Sequence, residues 1–365
     1  MQIQDIIRCV EERAPLAYQE SYDNAGLITG DPAWEVTGVL TTLDATEAVI
    51  KEAIEKKCNL VLAHHPILFR GLKKLSGGGY VERAIITAVK HDIAIYAAHT
   101  NLDNVSRGVN DMIAERLGLV HTTILEPRSG TLKKLYTFTP TEDAARVRQA
   151  LFDAGAGHIG LYGDASFNTP GTGTFRAGEG AQPYVGDIGT RHMEPEVKTE
   201  VIFPRHLQSA VIRALMAAHP YEEVAYDIVT LDNPNQEIGS GLIGELPEPM
   251  EESAFLRHLK ERMQTDCIRH TPLRGVPVRR VAVCGGAGSF LTARAIGAGA
   301  QVYVSADFKY HEFFDADGQI VIADTGHFES EQFTPEIFCR LIRERFSNFA
   351  PLKSSVRTNP INYLH

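Results

Sequence analysis

The segment Leu60–Phe69 reads Leu-Val-Leu-Ala-His-His-Pro-Ile-Leu-Phe, and it sets the fold class of the chain. A short apolar run such as 60–63 is typical of a strand buried in a parallel sheet. Pro66 has no N–H for the sheet ladder, so we expect the strand to end there. His64 and His65 then lie at the carboxyl end of a buried strand, where open α/β sheets bind ligands.

The two adjacent imidazoles have two interpretations. Successive side chains of a strand point to opposite faces, so His64 and His65 serve two different centres unless the backbone bends between them. The structural alternative is one core histidine bonded to the backbone and one surface histidine, because histidine is intermediate in burial. The polar groups that follow neighbouring strands decide between these interpretations.

Composition restricts the class of protein. The 365 residues are 44% hydrophobic and 22% charged, which predicts a soluble globular protein of more than one domain. A net charge of −10 without a Lys/Arg cluster argues against a nucleic-acid partner. No segment approaches the ~20 apolar residues of a membrane span, and the N-terminus lacks the features of a signal peptide, so we expect no membrane partner.

The cysteines indicate the compartment. They are scattered and form no Cys-x-x-Cys pair, which predicts neither a disulfide framework nor a thiolate zinc site. We therefore expect a cytoplasmic protein. The five are Cys9, Cys58, Cys267, Cys284 and Cys339.

The order of predicted elements around the histidines indicates an α/β fold. A strand over Val36–Leu43 and a helix over Thr46–Lys57 precede the histidine strand. Strand, helix and strand at this spacing form a βαβ unit, hence a parallel pair. A helix over Tyr80–His91 and a buried strand over Ile93–Ala98 extend the pattern.

A second pattern begins near Arg128. Its alternating strands and helices, read as two strand-helix-strand units, predict a ferredoxin-like α+β unit. The Gly/Thr-rich run that ends at Gly180 carries no predicted strand. We interpret residues 128–233 as a domain inserted into a first domain made of residues 1–127 and 234–365. The predicted elements are Leu132–Thr139, Glu142–Ala154, Val197–Phe203, His206–Ala218 and Tyr226–Leu231.

A glycine-rich turn follows the predicted strand Val281–Cys284. It resembles a phosphate-cradling loop at a helix N-terminus, but it fits neither the Walker nor the dinucleotide fingerprint. Its alternative is a plain structural turn. The candidate residues for a substrate or anion are Gly285, Gly286, Gly288 and Ser289.

Ligand-type side chains follow four predicted strands. Imidazoles and carboxylates without thiolates suit zinc, manganese, iron or cobalt. Two adjacent histidines with one bridging carboxylate suit a binuclear site about 3.5–4 Å across. Any one pair alone is compatible with a structural role, but their repetition at strand ends favours a metal site. The pairs are His64/His65, His99/Asp103, Asp307/His311 and His327/Glu331, and the last pair shares a face if its segment is helical.

Five motifs together resemble the NIF-three-like family, whose bacterial members are labelled GTP cyclohydrolase 1 type 2 homologues. They lie towards both ends of the chain, and Tyr22 stands where the family often has Trp. The motifs are Tyr22–Leu27, Ala63–Pro66, His99–Asp103, Cys284–Ser289 and Gly326–Glu331.

The resemblance implies a fold and a metal site. The fold is a core of mixed, mostly parallel sheets flanked by helices. The site holds two divalent ions per chain, of which zinc is expected and manganese, iron or cobalt are alternatives. Glu331 is the bridging ligand, Glu329 its nearest rival, and Asp307 and His311 support the ligands from the same cleft. The ligands implied are His64, His65, Asp103, His327 and Glu331.

The resemblance also covers the inserted domain. Gly157-His158, Tyr162-Gly163 and His219-Pro220-Tyr221-Glu222-Glu223 are similar to the extra domain of longer family members, which is PII/CutA-like. Proteins of that type trimerise, and the resemblance implies a homohexameric ring with metal sites facing an inner cavity.

Two functions follow from these expectations. The first is a metal-dependent hydrolase acting on a small, nucleotide-like substrate, with His99 or His311 as a proton shuttle. The alternative is a non-catalytic ring that stores, delivers or senses metal ions, or that regulates through a ligand of the inserted domain. A DNA-associated ring is a third idea, and the net charge of −10 argues against it.

Overall fold

The computed structural model describes residues 1–364 and divides into two compact units. The first unit comprises residues 1–127 and 236–364, and the second comprises residues 128–235. The chain therefore leaves the first unit and returns to it after one excursion. No helix within residues 1–364 is both long enough and apolar enough to cross a bilayer.

The strands are numbered along the chain. They are β1 (Gly26–Thr29), β2 (Val39–Asp44), β3 (Leu60–His65), β4 (Ala94–Ala97), β5 (Val120–Arg128), β6 (Leu132–Pro140), β7 (Ser166–Arg176), β8 (Arg191–Pro204), β9 (Tyr226–Leu231), β10 (Asn235–Met250), β11 (Arg269–His270), β12 (Val278–Ala287), β13 (Val302–Ala306), β14 (Val321–Asp324) and β15 (Leu352–Lys353).

The α-helices are numbered in the same way. They are α1 (Ile3–Arg13), α2 (Glu47–Glu55), α3 (Tyr80–Lys90), α4 (Thr100–Asp103), α5 (Val109–Leu117), α6 (Ala144–Asp153), α7 (Gln208–Ala218), α8 (Glu252–Arg262), α9 (Thr292–Gly297), α10 (His327–Glu331) and α11 (Thr334–Arg345). Short 3₁₀ turns occupy Leu16–Tyr18, Arg205–Leu207, Ser289–Leu291 and Tyr310–Ala316.

The histidine strand β3 is the middle strand of a five-stranded sheet with the order β1-β4-β3-β2-β15. Its neighbours β2 and β4 run parallel to it, and β1 is antiparallel at the edge. β3 ends at His65, directly before Pro66, as the sequence predicts. The register places Asp44 of β2 opposite His65.

The second sheet of the first unit has the order β11-β14-β13-β12-β10-β5. Its centre, β12-β13-β14, is parallel, and β10 and β11 pair with it antiparallel. The first unit is therefore α/β with mixed sheets. Its largest core contains apolar residues of both sheets and of flanking helices, including Ile6 of α1, Leu62 of β3, Val283 of β12 and Phe338 of α11.

The second unit is an antiparallel sheet with the strand order β7-β8-β6-β9. Helices α6 and α7 cover one face, where Leu135, Leu151, Phe203 and Leu215 form the core. β7 lies in the run where we predicted no strand. Glycine and proline give that run little strand signal, but β8 pairs with it residue by residue from Ser166 to Arg176.

Candidate metal centre

Three short segments at the ends of strands bring five side chains together. His64 and His65 are the last residues of β3. Asp103 ends α4, the short helix that follows β4. His327 and Glu331 begin and end α10, which follows β14, so their spacing of four places them on one helical face.

Glu331 lies at the centre of the group. Its Oε2 is 2.9 Å from His65 Nε2, 3.1 Å from His327 Nε2 and 3.8 Å from His64 Nε2. His64 Nε2 is in turn 3.6 Å from Asp103 Oδ1. Two sets of potential ligands result, each with donor atoms within 4.8 Å of one another and both including Glu331. The sets are His65/His327/Glu331 and His64/Asp103/Glu331.

Nδ1 of each imidazole in the two sets forms a hydrogen bond on the side of the ring that faces away from the centre. The partner of His64 is the Ala98 carbonyl oxygen at 2.8 Å. His65 and His327 pair with carboxylates, Asp44 and Asp307, also at 2.8 Å. Nε2 of each ring is thereby directed at the centre, which is the arrangement of metal-binding histidines. Asp307 is in the supporting position expected from the sequence, whereas Asp44 was not anticipated.

Two buried atoms of the centre have no hydrogen-bond partner among the described residues. They are His64 Nε2, on a ring that is 0% exposed, and Asp103 Oδ1. A buried polar group without a partner is costly, and the great majority are paired. A cation between these two atoms would satisfy both, so the donor set fits a metal ion.

The two half-buried imidazoles are strongly basic. Burial opposes a charge on His65, but hydrogen bonds to Asp44 and Glu331 outweigh it and raise the pKa of His65 to about 9. The negative charge of Glu331 is the main reason why the pKa of His327 rises to about 11, against the effect of burial. These shifts favour the positively charged form of each ring when no metal ion is bound.

The pKa values of the two carboxylates, Asp103 and Glu331, are shifted in opposite directions. Burial, with repulsion from Glu331, raises the pKa of Asp103 to about 7. Burial also disfavours the charge of Glu331, but His327 and hydrogen bonds with the imidazoles hold the pKa of Glu331 well below its ordinary range. Protons thus balance the carboxylates in the metal-free centre, and a divalent cation can replace them.

His99 lies beside the centre. Its ring is 5.3 Å from that of His64 and 5.4 Å from that of His65, and these three histidines form a further set of potential ligands. His99 Nδ1 pairs with Asp23 at 2.8 Å. Burial disfavours a charge on Asp23, but hydrogen bonds with His99 and Thr100 lower the pKa of Asp23 to about 2.

His311, in contrast, is not part of the group. It is exposed on the 3₁₀ turn Tyr310–Ala316, where its ring contacts Tyr310 and Phe314. None of the three sets of potential ligands includes it. Glu329 is also directed elsewhere, since its Oε1 accepts a hydrogen bond from Asn359, so the structure places Glu331 rather than Glu329 in the centre.

The glycine-rich turn supports the centre from the second sheet. The N–H of Gly285 donates to Asn110 and that of Gly286 donates to Ser330. Our expectation of an open anion cradle therefore needs correction at these two residues, because their amides are already paired. Gly286 has φ +62°, and a Cβ there would collide with the Glu331 carboxylate, so glycine permits a close backbone approach.

Gly288 and Ser289, the other two anion candidates, have a structural setting. Gly288 precedes the 3₁₀ turn that begins at Ser289, and its carbonyl oxygen accepts a hydrogen bond from Tyr303. A Cβ on Gly288 would also meet the side chains of Tyr303 and Ser305. This setting accounts for the glycine without any ligand.

Comparison with known proteins assigns one family to nearly the whole chain. The model of Duf34/NIF3 (NGG1p interacting factor 3) matches residues 1–360. A Bacillus subtilis protein named GTP cyclohydrolase 1 type 2 homolog is 39% identical over 367 residues, covering 99% of this chain and 98% of the relative. A Mycobacterium tuberculosis protein of the same name is 34% identical over 372 residues, covering 100% and 98%.

Solved structures are similar over the same length. A Bacillus cereus protein related to NIF3 has a TM-score of 0.88 and 38% identity, covering 100% of this chain and 99% of its own. A Staphylococcus aureus protein has a TM-score of 0.79 and 29% identity with the same coverage. The resemblance inferred from the five sequence motifs is confirmed.

Proposed function

The chain belongs to the Duf34/NIF3 family, and from that premise we propose that it is a binuclear metal-dependent hydrolase acting on a nucleotide-like substrate. One observation carries the proposal. The two sets of potential ligands share the Glu331 carboxylate, and the second set contains the two unpaired buried atoms, His64 Nε2 and Asp103 Oδ1.

The roles of the side chains follow from this arrangement. His65 and His327 would hold one ion, His64 and Asp103 would hold the other, and Glu331 would contribute to both sets of ligands. Zinc is the metal we expect, because imidazole and carboxylate ligands suit a borderline ion. A divalent ion in such a site supplies Lewis acidity and an activated water at neutral pH.

His99 is the residue that we assign to proton transfer. Asp23 holds its Nδ1, and the ring lies beside both histidines of β3. An imidazole can accept and return a proton near neutral pH. His311 has no such position, so the proposal leaves it out.

The solvent exposure of the centre and the names of relatives support a small substrate. The side chains of Asp103 and His327 are 23% and 35% exposed, so the centre is open to solvent on one side. Relatives carry the name GTP cyclohydrolase 1 type 2 homolog, which is the reason to begin with a nucleotide.

Turnover by the metal-loaded protein tests the proposal. GTP, other nucleotides and phosphoesters are offered to wild type, to Glu331→Gln and to Glu329→Gln, which alters the neighbouring carboxylate outside the centre. We expect activity in wild type and Glu329→Gln and none in Glu331→Gln. Two ions per wild-type chain without turnover of any substrate would contradict the hydrolase and favour metal storage or regulation.

We further propose that the second unit is an inserted ferredoxin-like domain of the PII/CutA type. Its element order β6-α6-β7-β8-α7-β9 and its strand order β7-β8-β6-β9 support this assignment. We also propose a homohexamer, as the family resemblance implies. Light scattering during size-exclusion chromatography measures the mass, and a monomeric mass would contradict the hexamer.

A further inference from the structure

The motif His219-Pro220-Tyr221-Glu222-Glu223 has no part in the metal centre, yet it builds a cavity. The cavity has a volume of about 710 Å³ and is lined only by residues of the second unit. Ligand pockets are commonly about 300–1,000 Å³ in volume. Its walls include Phe175 of β7, Glu196 of β8, and Tyr184, Tyr221 and Glu222.

His219 fixes the position of Tyr221. The Tyr221 backbone N–H donates to His219 Nδ1 at 3.1 Å, and His219 Nε2 lies 3.0 Å from the Phe138 carbonyl oxygen. Since a carbonyl oxygen only accepts, the proton of the ring is on Nε2 and the ring is neutral. Burial lowers the pKa of His219 and so favours this neutral form.

Tyr221 in turn positions a buried carboxylate. Its hydroxyl donates to Glu196 Oε1 at 2.9 Å, and Glu196 is only 8% exposed. The other oxygen, Oε2, lies next to Gly173 of β7. The carboxylate lies over Gly173, where a Cβ would collide with it. A cation in the cavity would be a counter-ion for this largely buried carboxylate, since buried charged groups are normally found paired.

Aromatic rings form the wall beside this carboxylate. The ring of Tyr221 is 5.9 Å from that of Phe175 and 6.2 Å from that of Tyr184. Glu222 fastens the loop that carries Tyr184, because its carboxylate accepts a hydrogen bond from the Gln182 N–H at 2.8 Å. Aromatic faces attract organic cations, and the attraction increases when the cation is desolvated.

The basic residues of the cavity do not neutralise Glu196. Lys198 Nζ pairs with Glu200 at 2.9 Å and lies 4.5 Å from the Tyr136 ring centroid. Arg176 is exposed at the end of β7. The negative charge of Glu196 therefore remains available to a ligand.

We propose that this cavity binds an alkylammonium cation, with Glu196 as its counter-ion and Phe175, Tyr184 and Tyr221 as its aromatic wall. The site is separate from the metal centre in sequence and in chemistry, and its ligand needs no metal ion. It gives the second unit a small-molecule function of its own.

Calorimetric titration of the full-length protein tests the proposal. The probes are choline, spermidine and 3,3-dimethylbutan-1-ol, which has the shape of choline without its charge. We expect choline or spermidine to bind and the uncharged alcohol not to bind. Equal affinity for choline and the alcohol would overturn the proposal, because shape alone would then account for binding.

Three variants locate the site. Glu196→Gln should weaken cation binding about tenfold or more, because it removes the charge and keeps the shape. Tyr184→Ala removes an exposed part of the wall and should weaken binding about three- to fivefold. Glu142→Gln is the control, since Glu142 is an exposed carboxylate of the second unit outside the cavity, and it should change affinity less than about twofold.

Two results would contradict the assignment. If neither cation binds wild type, the proposal is wrong, and a changed mass of Tyr184→Ala in light scattering would then assign the cavity to a contact between copies of the chain. If the cations bind but Glu196→Gln and Tyr184→Ala both retain wild-type affinity, they bind elsewhere. Metal content is measured in parallel and should stay constant in all three variants.

Discussion

Both the candidate metal centre and the cavity of the second unit are built around a buried glutamate, but the two glutamates have opposite surroundings. Glu331 faces the Nε2 atoms of three histidines, and it raises the pKa of two of these rings, His65 and His327. Glu196 faces a tyrosine hydroxyl and aromatic rings. Neighbouring groups, rather than the carboxylate itself, determine which cation each glutamate suits.

The two sites also differ in how far apart their residues lie along the chain. Residues of the metal centre come from strand ends between His64 and Glu331, and they meet only because two sheets place them there. The cavity depends on one short motif around Tyr221 and on the β7–β8 pair. The geometry of the first site therefore depends on the fold of the whole first unit, whereas the geometry of the cavity depends on local structure.

The largest expected effect on metal content comes from substituting each of the two glutamates by glutamine in turn. Glu331→Gln should lose both metal ions, with affinity reduced more than about 100-fold, because each ion loses a charged ligand. Glu196→Gln should keep both ions. Metal content per chain after dialysis measures this. A Glu331→Gln variant with full metal content would remove the basis of the comparison.

A smaller effect on metal affinity is expected from Asp44, which hydrogen-bonds the proposed ligand His65. Asp44→Asn keeps the size of the side chain but weakens its hold on His65 Nδ1, so metal affinity should fall about 10- to 100-fold. Competition with a chelator measures the affinity. Unchanged affinity would mean that Asp44 has no part in orienting His65. Cation binding in the second unit should be unaffected.

Metal affinity should also depend on pH. The pKa values of His65 and His327, about 9 and about 11, mean that metal binding must displace protons from both rings at neutral pH. Affinity should thus rise with pH below 9, by about tenfold per unit for each proton displaced. Titrations in buffers of different ionisation enthalpy count these protons. Absence of proton release would contradict the assigned charges.

The smallest effect tests whether the two units are independent. Gly173→Ala should displace the Glu196 carboxylate and lower the free energy of unfolding of the second unit by about 1 kcal/mol. Chemical denaturation measures this, and metal content should not change. Loss of metal from this variant would show that the two sites depend on each other.

Much of the metal centre could be predicted because its signals are local. Pro66 ends β3, which places His64 and His65 at the strand end. The spacing of His327 and Glu331 is helical, and they share one face of α10. His311 had the right residue type, but the 3₁₀ turn carries it to the surface among aromatic rings.

Other features depend on pairing that sequence patterns do not specify. Asp44 reaches His65 only because β2 and β3 pair in a register that places these residues opposite each other. β7 forms because β8 supplies its hydrogen-bond partners, despite a composition that predicts no strand. The cavity was missed because Glu196 and Tyr221 are brought together by tertiary structure.

The split first unit has a consequence for synthesis of the chain. His64, His65, His99 and Asp103 leave the ribosome early, whereas roughly 230 residues, including the second unit, separate Asp103 from Glu331. At bacterial and eukaryotic elongation rates this interval is about 10–50 seconds. During it the nascent chain carries the three-histidine set without its bridging carboxylate. Any site that uses Glu331 as a ligand therefore stays incomplete until most of the chain has been made.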